Sequence, residues 1–304
     1  MTSTLVHDAP AAAPASTVRQ LARLEARRFG RHPLFLVGVL FSVITMVAIA
    51  DDRSPDSLTN GVIPSFFLGV LSMVVSYRLT RSTAPAAEAV DAAPTSGTTR
   101  TAALCLAGLV PAAAGVVWLA VMYVVFAVWP PDAWAWATFD AADRLAIFTA
   151  QSAVAGLGAA LLGVVVARWL RFPGAIVLAV VVLLAWVLSA QAVAAVDAPS
   201  TLGAALRMTA PFTVWTSVDP GSASIDTWLG SPAWHLLYLL TLCALAATAA
   251  MLRDAAGRTR VVLLRVGGAC AVVAVLAALA ATTGGIDEPT RTSRDGSTSV
   301  VSEH

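Results

Sequence analysis

Lysine is missing from the 304-residue sequence, and all 19 basic side chains are arginines. A phosphate-binding loop of the G-K-[ST] type and Schiff-base catalysis both need a lysine, so neither chemistry is open to this chain. Patterns such as H-E-x-x-H, C-x-x-C and G-x-S-x-G are missing as well. We therefore predict that the chain is not an enzyme and binds no cofactor of its own.

Cysteine and histidine are also scarce. Cys105, Cys243 and Cys270 each fall inside a different apolar run, where a thiol behaves as a small hydrophobic group. The four histidines are widely scattered along the sequence. We therefore predict that the cysteines serve packing, with no disulfide and no metal site.

Charge is low throughout, since only 12% of the residues are charged, 58% are hydrophobic and the mean hydropathy is +0.78. Soluble domains carry about 25% charged residues. A bilayer core about 30 Å thick is crossed by about 20 apolar residues in a helix, and only helices or closed barrels satisfy their backbone groups there. The long Ala, Leu and Val runs favour helices, so the predicted fold class is an all-α integral membrane protein.

Apolar runs divide the chain into a membrane domain, 34–283, and two short polar ends. The predicted spans are 34–50, 61–77, 101–129, 145–167, 173–196, 234–252 and 261–281. Pro111 removes one helical hydrogen bond and predicts a bend in the third span. Residues 1–16 and 284–304 are too polar to bury a core of their own, so we predict that both are disordered.

Arginine is distributed unevenly about these spans. One side holds fourteen arginines: Arg19, Arg23, Arg27, Arg28, Arg31, Arg78, Arg81, Arg100, Arg168, Arg171, Arg253, Arg258, Arg260 and Arg265. The other side holds five: Arg53, Arg144, Arg207, Arg291 and Arg294. Because short cytoplasmic loops carry the positive excess, we predict that the N-terminus lies in the cytoplasm and the C-terminus outside.

Residues 17–33 are predicted to form an amphipathic elbow helix that lies on the inner leaflet. Its charged residues are Arg19, Arg23, Glu25, Arg27, Arg28 and Arg31. Glu25 falls within the apolar arc, so we expect it to pair with Arg28 or with a neighbouring loop. Two interpretations of the elbow stay open, an anchor to anionic lipid and a docking surface for a partner.

The cytoplasmic segment 78–100 is too long for a tight turn. Residues 86–93 can form a short helix that Pro94 ends, with Glu88 and Asp91 one turn apart. Arg78, Arg81 and Arg100 flank this element. It is either a lever against which a cytoplasmic motor pushes or an ordinary solvated loop.

Polar side chains inside the predicted spans are few. The polar candidates for a role within the bilayer are Ser42, Thr45, Ser72, Ser76, Gln151 and Gln191. Such groups line a pathway or form hydrogen bonds between helices, and the second role is the commoner one. In the fourth span, Ala155, Ala159 and Gly163 recur every four residues, which favours close helix packing within one subunit.

Two segments resemble permeases of type-2 ATP-binding-cassette exporters. The first is the loop pattern E-x-x-x-x-x-P, R-T-x-A-L and an early proline, carried by Glu88, Pro94, Arg100, Thr101, Ala103, Leu104 and Pro111. The second is an N-terminal elbow pattern, carried by Leu21, Arg23, Glu25, Arg27, Arg28, Arg31, His32 and Pro33. The resemblance covers these segments and the arrangement of spans, and it implies a multi-pass protein of the bacterial cell (inner) membrane.

This resemblance implies a function. The chain would be a permease that dimerises with an identical or paralogous copy, and residues 86–93 would be a coupling helix seated in a separate ATPase subunit that uses ATP and Mg. The spans 34–50, 61–77 and 173–196 would flank the dimer interface, and 197–233, with Phe212, Trp215 and Trp228, would fold back as short helices. Membrane lipid is an expected partner and nucleic acid is not. The alternatives are a non-transporting membrane scaffold or regulatory subunit and, with less support, an ion-driven carrier.

Overall fold

The protein is described here from a computed structural model. It covers residues 15–52, 65–82, 95–130, 138–196, 201–218, 224–286 and 290–300. Within these ranges the chain is mostly helical, with one small antiparallel sheet. The prediction of a mostly helical chain is therefore confirmed, whereas the expectation of an all-α chain misses the sheet.

Ten helices are described. They are α1 (Ala15–Gly30), α2 (Pro33–Asp52), α3 (a π-helical turn, Ser65–Val70, continued by Leu71–Arg81), α4 (Gly97–Ala107), α5 (Leu109–Val128), α6 (Ala141–Trp169), α7 (Ala175–Val196), α8 (Thr201–Thr209), α9 (Pro232–Leu252) and α10 (Gly257–Thr283). The strands are β1 (Thr216–Val218), β2 (Ser224–Thr227), β3 (Thr290–Ser293) and β4 (Thr298–Val300).

Six helical stretches of the described chain are long and apolar enough to cross a membrane. They are Pro33–Ala50, Gly97–Val128, Ala141–Trp169, Ala175–Ala192, Pro232–Leu252 and Gly257–Thr283. Each falls on one of the predicted spans. The remaining prediction, 61–77, begins outside the described residues, and its described part is α3. The chain is thus compatible with a multi-pass membrane protein.

The third predicted span is divided at Gly108. Helix α4 ends at Ala107 and α5 begins at Leu109, while Gly108 N–H donates to Cys105 O over 3.1 Å. Pro111 has no N–H for the carbonyl four residues earlier, at Ala107, and its ring crowds that group. The helix is therefore interrupted one turn before the proline.

Helix α6 lies at the centre of the bundle. Of its most apolar stretch 78% is buried, against 11% to 33% in the other five long stretches. A Cβ added to Gly163 would overlap Met73 O on α3, and one added to Gly115 on α5 would lie 2.6 Å from Ala153 N. Small residues on α6 therefore serve packing within the chain, as the four-residue spacing predicted.

The four strands form one antiparallel sheet in the order β1-β2-β3-β4. Strand β3 follows α10 but pairs with β2, which precedes α9, and Ile225 lies opposite Thr292. The guanidinium of Arg291 donates to both carboxylate oxygens of Asp226, over 2.7 and 2.8 Å. The prediction that 284–304 is disordered is therefore wrong for 290–300: this polar stretch buries no core of its own but extends an existing hairpin through backbone hydrogen bonds.

The helices place the arginines at opposite ends of the bundle. The arginine-rich end is formed by α1, the last turn of α3, the first turn of α4, the last turn of α6 and the turn between α9 and α10. The sheet end is formed by α8, the sheet and the first turn of α9. All fourteen arginines that were assigned to one side belong to the arginine-rich end, whereas Arg144, Arg207, Arg291 and Arg294 belong to the sheet end.

Candidate functional site

The elbow helix α1 is tied to the bundle at its C-terminal end. Phe29 is 1% exposed, and its ring packs edge-on against Phe35 at the start of α2, with 5.2 Å between the ring centroids. Arg28 pairs with Glu25 over 3.0 Å, as the sequence predicted, and also donates from Nη2 to Ser82 Oγ over 3.2 Å. The elbow is therefore bonded directly to the residue that follows α3.

The two faces of α1 separate as the sequence pattern predicted. Arg19, Arg23 and Arg27 are exposed, while Val18 and Ala22 face α4 and α5. Leu106 and Leu109, which are 44% and 54% exposed, lie across an apolar groove from this face. Arg19 and Arg23 thus border a groove with an apolar floor.

The joint between α1 and α2 contains His32. Its Nδ1 accepts a hydrogen bond from the backbone N–H of Leu34 over 3.3 Å. Burial, together with the positive charge of Arg78, lowers the pKa of His32 from its usual value. The lowered pKa favours the neutral imidazole, in which Nδ1 can accept this hydrogen bond.

Both flanks of the predicted coupling segment lie at the arginine-rich end. Arg78 and Arg81 are in the last turn of α3. Ser96 caps α4 by accepting the N–H of Thr99 over 3.2 Å, and Arg100 Nε donates to Thr95 Oγ1 over 3.0 Å. Glu88, Asp91 and Pro94, with the short helix predicted over 86–93, lie outside the described residues.

Asp254, which the sequence analysis did not single out, connects three elements at this end. Its carboxylate forms an ion pair with Arg168 at the end of α6 and accepts from Thr101 Oγ1 on α4 over 3.2 Å. A Cβ added to Gly97 would lie 2.9 Å from Asp254 Oδ2. A lone acid in the arginine-rich turn R-D-A-A-G-R was the signal that could have drawn attention to it.

Arg253 and Trp169 strengthen the same junction. The guanidinium of Arg253 lies over the ring of Trp169, 5.4 Å from its centroid, and Trp169 Nε1 donates to Ala249 O over 3.0 Å. A cation over an indole face is attracted by the ring quadrupole. The ends of α4, α6 and α9 are therefore joined by charge, hydrogen bonds and an aromatic contact.

The serines and the threonine named as pathway candidates either form hydrogen bonds within the chain or are buried in it. Ser42 Oγ donates to Gly38 O over 2.8 Å, and Thr45 Oγ1 donates to Ser42 O over 3.0 Å. Trp118 on α5 donates to Ser42 O over 3.3 Å, which links two helices. Ser72 and Ser76 are buried in α3, and Ser72 Oγ has no hydrogen-bond partner among the described residues.

The two glutamines hold the segment that follows α8. Gln151 Nε2 donates to Thr213 O over 3.0 Å, and Gln191 Nε2 donates to Phe212 O over 3.1 Å. Gln151 belongs to the π-helical turn Ala150–Val154 of α6, and such turns are frequent at functional positions. Two helices thus fix consecutive carbonyls of one non-helical segment.

Arg207 on α8 is almost completely buried at the sheet end. Its guanidinium lies 5.7 Å from the ring centroid of Trp215 and 5.5 Å from that of Trp228, and Nη2 donates to Leu229 O. Nε and Nη1 have no hydrogen-bond partner among the described residues. Burial lowers the pKa of Arg207 to about 9. Trp215, which is 3% exposed, is therefore buried against the Arg207 guanidinium.

The described residues contain no group of three or more His, Cys, Asp or Glu side chains that could hold a metal ion. Cys105, Cys243 and Cys270 are free thiols. A comparison of the chain with models of protein families, with curated proteins and with solved structures finds no match.

Proposed function

We propose that the chain is the membrane-spanning permease subunit of an ATP-driven ABC exporter in a bacterial cell membrane. The arginine-rich end faces the cytoplasm and docks a separate ATPase subunit, while the sheet end faces outward. Two permease copies, identical or paralogous, form the substrate pathway between them.

One observation carries this proposal: the elbow helix lies beside both flanks of the segment 78–100. Arg28 donates to Ser82 at one flank, and α1 packs along α4, which begins at the other flank. A partner that presses on the segment would therefore also contact the elbow. The Asp254 junction then connects the start of α4 to α6 and α9, so that a displacement of the segment reaches the centre of the bundle.

The distribution of charge supports the orientation. The fourteen arginines at one end give it the positive excess that cytoplasmic flanks carry. The exposed arginines of α1 would favour anionic lipid headgroups by about 1 kcal/mol each. The elbow is then held at the surface on which an ATPase would dock.

Helices α2 and α7 are available to a second permease copy. Large apolar side chains such as Leu40 and Val47 on α2, and Val181 and Leu188 on α7, are more than half exposed. The described part of α3, in contrast, is largely buried within the chain. A pathway built from α2 and α7 is apolar, which favours lipophilic cargo.

The test is affinity purification of the tagged chain from detergent-solubilised native membranes. The wild type is expected to recover a nucleotide-binding ATPase and Mg-dependent ATP hydrolysis. Glu88→Arg is expected to lose both, because the reversed charge no longer fits the ATPase surface. Asp295→Arg, an equal charge change at the sheet end, is the matched control and should retain both.

A reproducible absence of any ATPase in the wild-type preparation would reject the exporter and favour a scaffold or regulatory subunit. If both variants still recover the ATPase, the ATPase partner would be supported, but the segment 78–100 would be rejected as its docking site. Uptake by proteoliposomes that needs an ion gradient and no ATP would instead identify a secondary carrier.

A further inference from the structure

An apolar cavity of about 260 Å³ lies inside the bundle, between α6, α7 and α9. Ala159 and Leu162 form its back wall on α6, Leu183 and Trp186 belong to α7, and Leu242 and Cys243 belong to α9. Phe212, which Gln191 holds through its carbonyl, closes the side nearest the sheet end. All residues that line the cavity belong to one chain.

The lining of the cavity does not suit water. Cys243 Sγ already donates to Val154 O over 3.9 Å, and Thr209 Oγ1 donates to Leu206 O over 2.9 Å. A buried water needs two to four polar partners, whereas an engineered apolar cavity of about 150 Å³ stays dry and binds benzene. The residues that line this cavity are likewise almost all apolar, so their chemistry favours a hydrocarbon occupant.

The opening of the cavity faces the surrounding lipid. Helix α7 packs on α6 and α8, while the cavity lies between Leu183 and Trp186 on α7 and Leu242 and Ala246 on α9. Trp186, at the edge of the cavity, is 47% exposed, and only 17% of the apolar stretch of α7 is buried. A chain that enters from the bilayer would therefore pass between α7 and α9.

We infer that the cavity holds one acyl chain of a membrane phospholipid. A single hydrocarbon chain is apolar along its length, reaches the opening from the neighbouring bilayer and needs no hydrogen-bonding partner. The acyl chain fills the space between α7 and α9 and thereby holds α7 against α6. This inference does not depend on the exporter function.

Photochemical crosslinking tests the inference, with Cys243 as the reporter. Cys243 is 6% exposed, so bulk lipid has no contact with its thiol except through the cavity. The full chain is placed in phosphatidylcholine nanodiscs that contain a phosphatidylcholine with a diazirine in one acyl chain. After illumination, lipid adducts are mapped by peptide mass spectrometry. We expect adducts at Cys243 as well as on the exposed surface of α7 at Val182.

Two variants fill the cavity from α9. Ala246→Phe and Leu242→Trp are expected to abolish the adduct at Cys243 and to retain the adduct at Val182, which also shows that the variant is folded in the bilayer. Ala271→Phe, on the exposed surface of α10, is the matched control and should label like the wild type. The inference would be overturned if the wild type were labelled at Val182 but not at Cys243. It would also be overturned if both filling variants were labelled at Cys243 as strongly as the wild type.

Discussion

Arg168, in the last turn of α6, forms an ion pair with Asp254, which lies in the turn between α9 and α10. Both side chains are 25% exposed, and Arg168 Nε has no hydrogen-bond partner among the described residues. Asp254→Asn leaves this cation without its counter-charge. We expect the free energy of unfolding, measured by denaturant titration in detergent, to fall by about 1–3 kcal/mol.

The reciprocal variant separates this pair from general disruption. Arg168→Asp combined with Asp254→Arg restores opposite charges, so the double variant should be more stable than the sum of the two single changes predicts. Asp295→Asn, at an exposed turn of the sheet end, is the control and should change stability by less than about 0.5 kcal/mol. Additive single and double effects would contradict a direct interaction.

Two helical glycines are expected to respond to alanine in opposite directions. Gly163 contacts the backbone of Met73, so Gly163→Ala should separate α6 from α3 and lower the free energy of unfolding by about 1–3 kcal/mol. Gly268 on α10 has no atom within 4 Å of an added Cβ, so Gly268→Ala should raise it by up to about 1 kcal/mol. Thermal unfolding in one detergent measures both. Equal shifts of the two melting temperatures would refute the close α6–α3 contact.

The joint at His32 is expected to weaken in acid. Because the folded-state pKa lies below the unfolded value of about 6.5, the unfolded chain binds the proton first as the pH falls. Stability at the joint is therefore complete above about pH 6.5 and declines as the pH falls below it. Hydrogen exchange of the Leu34 amide, corrected for the intrinsic rate, should accelerate between pH 7 and pH 5. His32→Asn keeps an acceptor without titrating and should remove this pH dependence.

Two substitutions of Arg207 separate the contribution of its charge to the free energy of unfolding from the contribution of its volume. Arg207→Met fills the space between Trp215 and Trp228 and buries no charge, so we expect the free energy of unfolding to stay within about 1 kcal/mol of the wild type. Arg207→Ala leaves a cavity and should lower it by about 2–4 kcal/mol. Chemical unfolding of both variants provides the comparison. If methionine is as harmful as alanine, the charge itself contributes to the fold.

The spans were predictable because hydropathy depends only on local sequence. Every described membrane helix falls on an apolar run, and the Glu25–Arg28 pair followed from helical spacing. Pro111, which lacks an N–H, likewise indicated that the helix is disturbed near Gly108. These are short-range effects, in which each residue acts through neighbours within one or two turns.

The contacts at both ends depended on long-range pairing and were not predictable. Nothing near Asp254 in the sequence indicates Arg168 or Thr101 as its partners. Arg207 was counted for its charge, and only the folded chain shows that Trp215 and Trp228 enclose it. Strand β3 was expected to be disordered because its sequence is polar. Its partner, β2, precedes two membrane helices, so the pairing was not apparent from the local sequence. Gln151 and Gln191 were recognised as polar groups inside spans, but their acceptors at residues 212 and 213 were not.

The order of the sheet has a consequence for biosynthesis. Strand β2 pairs with β1 on one side and with β3 on the other, yet β3 emerges from the ribosome only after α10. Until the last membrane helix has been inserted, one edge of β2 stays open, and an open strand edge pairs readily with other extended chains. A nascent chain that stalls before α10 would therefore display a site for quality-control factors. Once α10 has been inserted, β3 can pair with β2 and cover this site.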